Sequence, residues 1–462
     1  VGLLINWSHP ELSTRQEVVR LREILKRGKI ESFILRSWSV SWPMTLIMLF
    51  DFLIGLADVY IAGKVSKEIQ ATYGFVIQLY FILIVIANAL TVGTVSVVSR
   101  LYTSGSRNDL TQSIFSSLMT TAGAGGVLVV AGIFLSPEII HIVNIPEELK
   151  GLAIPFIEIY SVGLFFHYLL INSNGVLRSC DRVKDSLRTQ ALVCVLNIGL
   201  NFFLVFHTPL GFRGIAAATA SSVFIGSMIN LWKVRSSMPG AKKFSLSLMG
   251  KMVAIGWPIG LLQILWQASS MVLFLILSAL PEHRVEVLAA LTTGLRIESV
   301  IYLPVFGFNM ANAVIVGNLL GEKKQDDAFR SGFVTAAIGV LIVTVMAIGV
   351  ILNARWIATL LSNNEMVVRE STKYITISMI SEPFMAWGVI LSGGLNGAGD
   401  TRSVLLRIAL SVWLVRIPLS YIFVVFLGFG AVSVWWAMNI SQFVQAFAIS
   451  TRYLNKEWLS EK

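Results

Sequence analysis

Twelve long, nearly uninterrupted apolar stretches run through this chain of 462 residues, and they constrain the fold more than any other feature. They lie at about 41–63, 69–98, 113–135, 152–174, 187–207, 213–232, 252–279, 289–318, 330–352, 371–394, 403–425 and 430–450. Each has the roughly 20 residues that a helix needs to cross the hydrocarbon core of a bilayer. A transmembrane β-barrel would show short alternating segments instead, so it is excluded. The residues outside the runs cannot coat a soluble particle, because 55% of the chain is hydrophobic and only 13% charged, against about 25% in soluble domains. A soluble enzyme, a nucleic-acid module and a disordered chain are therefore disfavoured. The expected fold is an all-α polytopic membrane protein of twelve helices. Its net charge of +10 then belongs to loops on the inner side of the membrane.

Charge counting orients the chain. With the N-terminus inside, 25 of the 36 Lys and Arg fall in or beside inner segments, eight lie on the outer side and three lie within spans. The positive-inside rule then predicts a multi-pass protein of the cytoplasmic membrane with both termini cytoplasmic. The first 36 residues hold seven Lys and Arg and no apolar run, so no cleavable leader is expected there. Ser13 and Gln16 read as a capping box. Val18, Leu21 and Leu25 follow as a stripe among Arg20, Arg22, Lys26 and Arg27, which predicts a basic amphipathic helix on the inner face. The two cysteines, Cys180 and Cys194, have neither metal spacing nor a disulfide framework.

The chain repeats at half its length. Trp42-Pro43 opens the first span and Trp257-Pro258 the seventh, and Leu177–Phe206 aligns with Asn396–Val425 at an offset of 219. Two halves of six helices each start and end on the same side, so the repeat is parallel. The expected organisation is an interfacial segment at 1–38, a first lobe at 39–240, a linker at 241–251, a second lobe at 252–453 and a tail at 454–462.

Ionisable side chains inside a bilayer are costly and usually face a cavity or a partner. In the first half, Asp51 and Asp58 are seven residues apart on helix 1, Asn197 and Asn201 share a face of helix 5, and Thr219 sits early in helix 6. Together they offer hard oxygens for a sodium ion or hydrogen bonds for a protonated carboxyl, and Asp58 and Asp51 are the candidate proton carriers. In the second half, Arg296 and Glu298 on helix 8, Glu382 on helix 10 and Arg416 on helix 11 bring charges of both signs, and Glu382 is expected to pair with Arg296 or Arg416. Gln263 and Gln267 on helix 7 are candidate cleft-lining groups, and His167 reads as a packing residue with a satisfied ring. The offset of 219 places Arg416 at the position of Asn197 and Ser420 at that of Asn201, so the two halves differ in chemistry.

Several motifs together resemble the multidrug and toxic compound extrusion (MATE) transporters, across about Ser39 to Tyr453. They are Leu56-Ala57-Asp58 with Ala62-Gly63, Leu177-Arg178-Ser179-Cys180-Asp181, Asn197 with Gly214 and Thr219, Trp257-Pro258, Arg296-Ile297 with Pro304 and Gly307, Gly317 through Gly321, and Gly394 through Asp400. The resemblance implies two six-helix lobes in a V whose central cleft opens alternately to each side. It implies export of amphipathic, often cationic compounds in exchange for inward H⁺ or Na⁺. The family's first-lobe cation site falls on Asp58, Asn197, Asn201 and Thr219, with Asn201 replacing a family aspartate, and Asp51 is a substitute acid. Family acids on helices 7 and 10 fall on Trp266 and Met385, which leaves Glu298 and Glu382 as the nearest acids.

The expected activity is therefore secondary antiport by alternating access, with no enzymatic chemistry and no cofactor or bound metal beyond the coupling ion. The expected partners are a small organic substrate and the bilayer, with no nucleic acid, and the protein is expected to be a monomer. Arg296, Arg407 and Arg416 keep a lipid-linked oligosaccharide flippase, or an exporter of an anionic metabolite, as the alternative. A membrane-embedded transferase would need clustered acids for Mg²⁺-diphosphate. The one adjacent pair of aspartates, Asp326-Asp327, sits beside Lys323 and Lys324 and reads as a solvated face.

Overall fold

The structure, a computed structural model, describes residues 10–143 and 147–460, and side chains from residue 28 onward except 139 and 141–147. A backbone in hydrocarbon must satisfy its own hydrogen bonds, and these continuous apolar runs do so as helices. The first half comprises α1 (Pro10–Val65), α2 (Lys67–Ser104), α3 (Arg107–Phe134), α4 (Ser136–Val143), α5 (Glu147–Ser179), α6 (Val183–Phe206) and α7 (Arg213–Arg235). The second comprises α8 (Leu246–Ser278), α9 (Arg284–Gly321), α10 (Gln325–Leu352), α11 (Ala354–Leu361), α12 (Glu365–Gly397), α13 (Thr401–Phe426) and α14 (Ala431–Leu454). Among the described residues eleven of these helices are long and apolar enough to cross a membrane. The twelfth expected span, α14, misses that measure because it buries Asn439, Ser441, Gln442 and Gln445 against its own lobe. The helix expected before the first span is continuous with it in α1. The Ser13–Gln16 box and the Val18–Leu21–Leu25 stripe lie outside the described side chains.

The two lobes are structural copies. Helices α3, α4 and α5 have 28, 8 and 33 residues, and α10, α11 and α12 have the same three lengths. The turns correspond as well, since Gly105 and Lys323, and Asp181 and Gly399, all adopt left-handed backbone at a spacing of 218. The sequence alignment, which pairs Asp181 with Asp400, is thus one residue out at this turn. The discrepancy has a cause in α13, which spans 26 residues where α6 has 24. Two π-helical turns, Ser411–Arg416 and Ile422–Phe426, absorb the surplus, because each such turn accommodates one inserted residue. Past the first of them the spacing becomes 219, which matches Asn197 with Arg416.

The lobes meet in the half of the molecule nearer the termini. Here α1 and α8 cross the seam. Val40 and Met44 of α1 sit in the core of the second lobe, whereas Ile61 and Ala62 of the same helix sit in the core of the first. Helix α8 mirrors this, with Met252 and Gly256 against α2, and Leu273, Ile276 and Leu277 in the second-lobe core. Backbones touch at the crossing. A methyl group on Gly93 would lie 2.0 Å from the Met252 carbonyl oxygen, and one on Gly256 2.2 Å from that of Ala89. Hydrogen bonds close the same half. Ser96 Oγ donates to Gly397 O at 3.1 Å, Thr103 Oγ1 to Asn318 O at 2.7 Å, and Arg100 to the carbonyl of Ala398. Ser37 and Thr335 share a hydroxyl bond of 2.7 Å, and Lys29 pairs with Asp327 at 2.9 Å. The hydrogen bonds and glycine contacts named here between the lobes all lie in this half.

Candidate functional site

The first-lobe candidates form one network between α1, α6 and α7. Asp58 lies on the upper part of α1 and is 2% exposed. Helix α6 brings Asn197 and Asn201 to it one turn apart, and α7 brings Thr219. Asn201 Nδ2 donates to Asp58 Oδ1 at 2.5 Å, Thr219 Oγ1 to Asp58 Oδ2 at 3.2 Å, and the Tyr73 hydroxyl to Oδ2 at 3.4 Å. Behind them Asn197 Nδ2 donates to Thr219 Oγ1 at 3.0 Å, and Asn201 Nδ2 to Asn197 Oδ1 at 3.2 Å. Asp58 therefore meets only neutral partners, and no arginine or lysine pairs with it among the described residues.

One buried oxygen at this site is left over: Asn201 Oδ1 has no hydrogen-bond partner. Uncompensated buried polar atoms are uncommon in native structures and mark places where something else binds or moves. The ionised carboxylate has three donors here. A protonated one would need an acceptor, and Asn201 can supply Oδ1 by turning its amide over.

Asp51 does not join this network. Seven residues keep it on the same face of α1 as Asp58 but about 10 Å further along the helix axis. Its partner is Gln190, whose Nε2 donates to Asp51 Oδ1 at 2.5 Å.

The second-lobe candidates divide. Glu298 is buried and accepts from Tyr302 at 3.0 Å and Tyr374 at 2.7 Å. Arg416 Nε donates to Ser441 Oγ at 2.9 Å, and its guanidinium lies 5.4 Å from the Trp266 ring centroid. Both oxygens of Glu382 and Nη2 of Arg416 lack hydrogen bonds. The ion pair expected for Glu382 is therefore not formed among the described residues. Arg296 is exposed on another face of α9, two residues from Glu298, as helical geometry requires. A cavity of about 50 Å³ opens beside Glu298, Tyr302, Arg416, Trp266 and Gln442. It has room for about three to five waters, each needing roughly 10–15 Å³ of such volume. Gln263 and Gln267 do not line it. Replacing Arg416 with Met removes its hydrogen bond to Ser441 and should lower stability by about 1.5–3 kcal/mol, the range for a hydrogen bond to a charged group. Glu382→Gln should leave stability unchanged or raise it. Melting in detergent reads both.

The sequence did not reveal the tyrosines. Tyr73, Tyr302 and Tyr374 donate to the acids, yet in an apolar run a tyrosine looks like filler. The available signal is that a buried hydroxyl nearly always has a partner. His167 is held as expected, its Nδ1 2.9 Å from the Tyr80 hydroxyl.

Comparison with known proteins places this arrangement in context. A family model described as MatE matches residues 43–203 and 258–422. The uncharacterized transporter YisQ of Bacillus subtilis (strain 168) is 21% identical over 450 residues, covering 95% of this chain and 97% of that protein. A probable multidrug resistance protein, NorM of Thermotoga maritima, is 22% identical over 84% of this chain and 85% of its own length. Multidrug resistance protein MdtK of Yersinia enterocolitica is 24% identical over 82% of this chain and 85% of its own. Among solved structures, a MOP superfamily transporter from Pyrococcus furiosus superposes with a TM-score of 0.85 at 19% identity, covering 94% of this chain and 97% of that one. An outward-facing multidrug resistance transporter superposes at 0.84, also at 19% identity, with the same coverage.

Proposed function

The chain belongs to the MatE family, and from that premise we propose that it is a secondary active antiporter that exports amphipathic, cationic organic compounds in exchange for protons. The observation that carries the reading is Asp58, a lone buried carboxylate held by Asn201, Thr219 and Tyr73 in the lobe whose seam is closed on the terminus side. A proton arriving through the open cleft neutralises Asp58. The neutral acid needs an acceptor where it had donors, so Asn201 turns over, and the contacts that fix α1 against α6 and α7 change. Because α1 also reaches into the second lobe, that change is felt at the seam. Coupling follows only if proton and cargo differ in affinity for the two states, which the rearranged hydrogen bonds provide. We place both termini in the cytoplasm, so the described state faces outward.

The proton is favoured over sodium because the site holds one formal charge. A single H⁺ neutralises it, whereas Na⁺ gains from a second carboxylate where this chain has Asn201. Arg416, 6% exposed and bound to Ser441 inside the second lobe, does not offer its charge to the cleft as an anionic cargo would require. The test is thermal stabilisation of the purified protein by Na⁺ against K⁺. Wild type should show no difference, and Asn201→Asp should gain several degrees in Na⁺, as ligand linkage to a new site implies. A wild-type protein stabilised by Na⁺ at millimolar concentration would overturn the proton assignment.

A further inference from the structure

Asp51 is exposed, although it lies well inside α1. Its position at the inter-lobe boundary follows from its neighbour. Arg178, at the end of α5, is within electrostatic reach of Asp51 and points its Nη1 across the seam to Met310 Sδ of α9 at 2.8 Å. Asp51, bound to Gln190 of α6, thus lies on the side of α1 towards the seam that Arg178 reaches across.

The carboxylate is held in a fixed pose. Asn174 Nδ2 donates to Gln190 Oε1 at 3.4 Å, and Asn174 Oδ1 accepts from Ser186 Oγ and Asn230 Nδ2, both at 2.7 Å. With its own oxygen so engaged, Gln190 must present Nε2 to Asp51. One carboxylate oxygen is thereby satisfied by a neutral donor, and the other accepts no hydrogen bond although the residue is exposed. This is the geometry of a seat for a positive charge.

Arg178 is the cation beside this acid. A thioether is a weak acceptor, and Arg178 Nε has no partner at all, so the guanidinium is poorly compensated where it lies. Its nearest opposite charge is Asp51. The seam contact with Met310 keeps it there. Opening the lobes on the terminus side carries α9 away from α5, removes Met310 and frees Arg178 to turn towards water.

We propose that Asp51 is the cargo-binding acid of the cleft, seating the head of a quaternary or protonated amine, and that Arg178 is an internal cation that displaces this cargo when the seam closes. The inference rests on the exporter reading above and adds a specificity residue to it. Its sign suits export. Affinity for a cation is high when the cleft opens towards the termini and falls when Arg178 is pressed beside Asp51.

The experiment uses the protein reconstituted in vesicles with two probes, tetraphenylphosphonium as a permanent cation and N-phenyl-1-naphthylamine as an uncharged amphiphile. Asp51→Asn should lower the ratio of cation to neutral transport at least tenfold, and Asp51→Glu should restore most of it. Arg178→Met should tighten tetraphenylphosphonium binding about tenfold while slowing its export. In the wild type, tetraphenylphosphonium should slow carbodiimide modification of Asp51, read by mass spectrometry, which needs no variant to fold. An unchanged transport ratio in Asp51→Asn, or no protection of Asp51, overturns the assignment of the acid. Unchanged binding in Arg178→Met overturns the displacement. A wild type that moves neither probe against a gradient overturns the exporter reading itself.

Discussion

Asp58→Asn is expected to reduce proton-driven export in proteoliposomes to the level of protein-free vesicles, a loss of at least a hundredfold. The substitution keeps the shape and the bond to Asn201 but fixes the group in a neutral form. The three donors around the wild-type carboxylate, from Asn201, Thr219 and Tyr73, show how closely the pocket is built for charge. Without a titrating group the proton has no differential affinity for the two states, and an ion that does not discriminate between states drives nothing. The variant should still fold, because an amide can hydrogen-bond in that pocket from either end. Retained secondary structure and monodisperse elution would establish this. Undiminished proton-driven export by Asp58→Asn would remove the basis of the coupling argument.

The second large effect is steric. Gly93→Ala places a methyl group 2.0 Å from the Met252 carbonyl oxygen, a rigid backbone atom. Ordinary carbon contacts are near 3.5–4.0 Å, so α2 and α8 must separate by more than an ångström. Overpacking of this kind costs about 1–3 kcal/mol. Under the alternating-access reading proposed above, the cost falls on the seam-shut state alone. A penalty of about 2.7 kcal/mol shifts a two-state balance about a hundredfold. Spin labels on Arg107→Cys and Gln325→Cys, both exposed at the terminus-side starts of α3 and α10, would report it once Cys180 and Cys194 are replaced. The expected result is a population with the labels several ångströms further apart, and transport at least tenfold slower. An unchanged distance distribution would mean that the seam does not set the closed state.

Much of this was written in the order of residues. The spans are legible because hydrocarbon leaves the backbone no alternative to helix, and the doubled plan follows from an even number of helices per half. The Asp58 site is legible because Asn197 and Asn201 stand one turn apart and Thr219 opens the next helix. What the sequence hides is packing across distance. Nothing in the apolar stretch of α1 says that Met44 belongs to one lobe and Ile61 to the other. The spacing of Asp51 and Asp58 suggests a pair, because a shared face is visible in sequence and separation along the axis is easily overlooked. Glu382 looks like half of an ion pair, but a charge count cannot supply the geometry that pairing requires.

The two π turns of α13 carry a lesson about how such a molecule changes. A helix that takes in a surplus residue by widening keeps both ends anchored while every side chain beyond the bulge is re-aimed by about a hundred degrees, one residue's share of a 3.6-residue turn. Arg416 closes the first bulge, so a single codon gained or lost there decides whether a guanidinium or its neighbour looks into the second lobe. Two halves built on one plan can in this way carry opposite electrical characters without redrawing the scaffold.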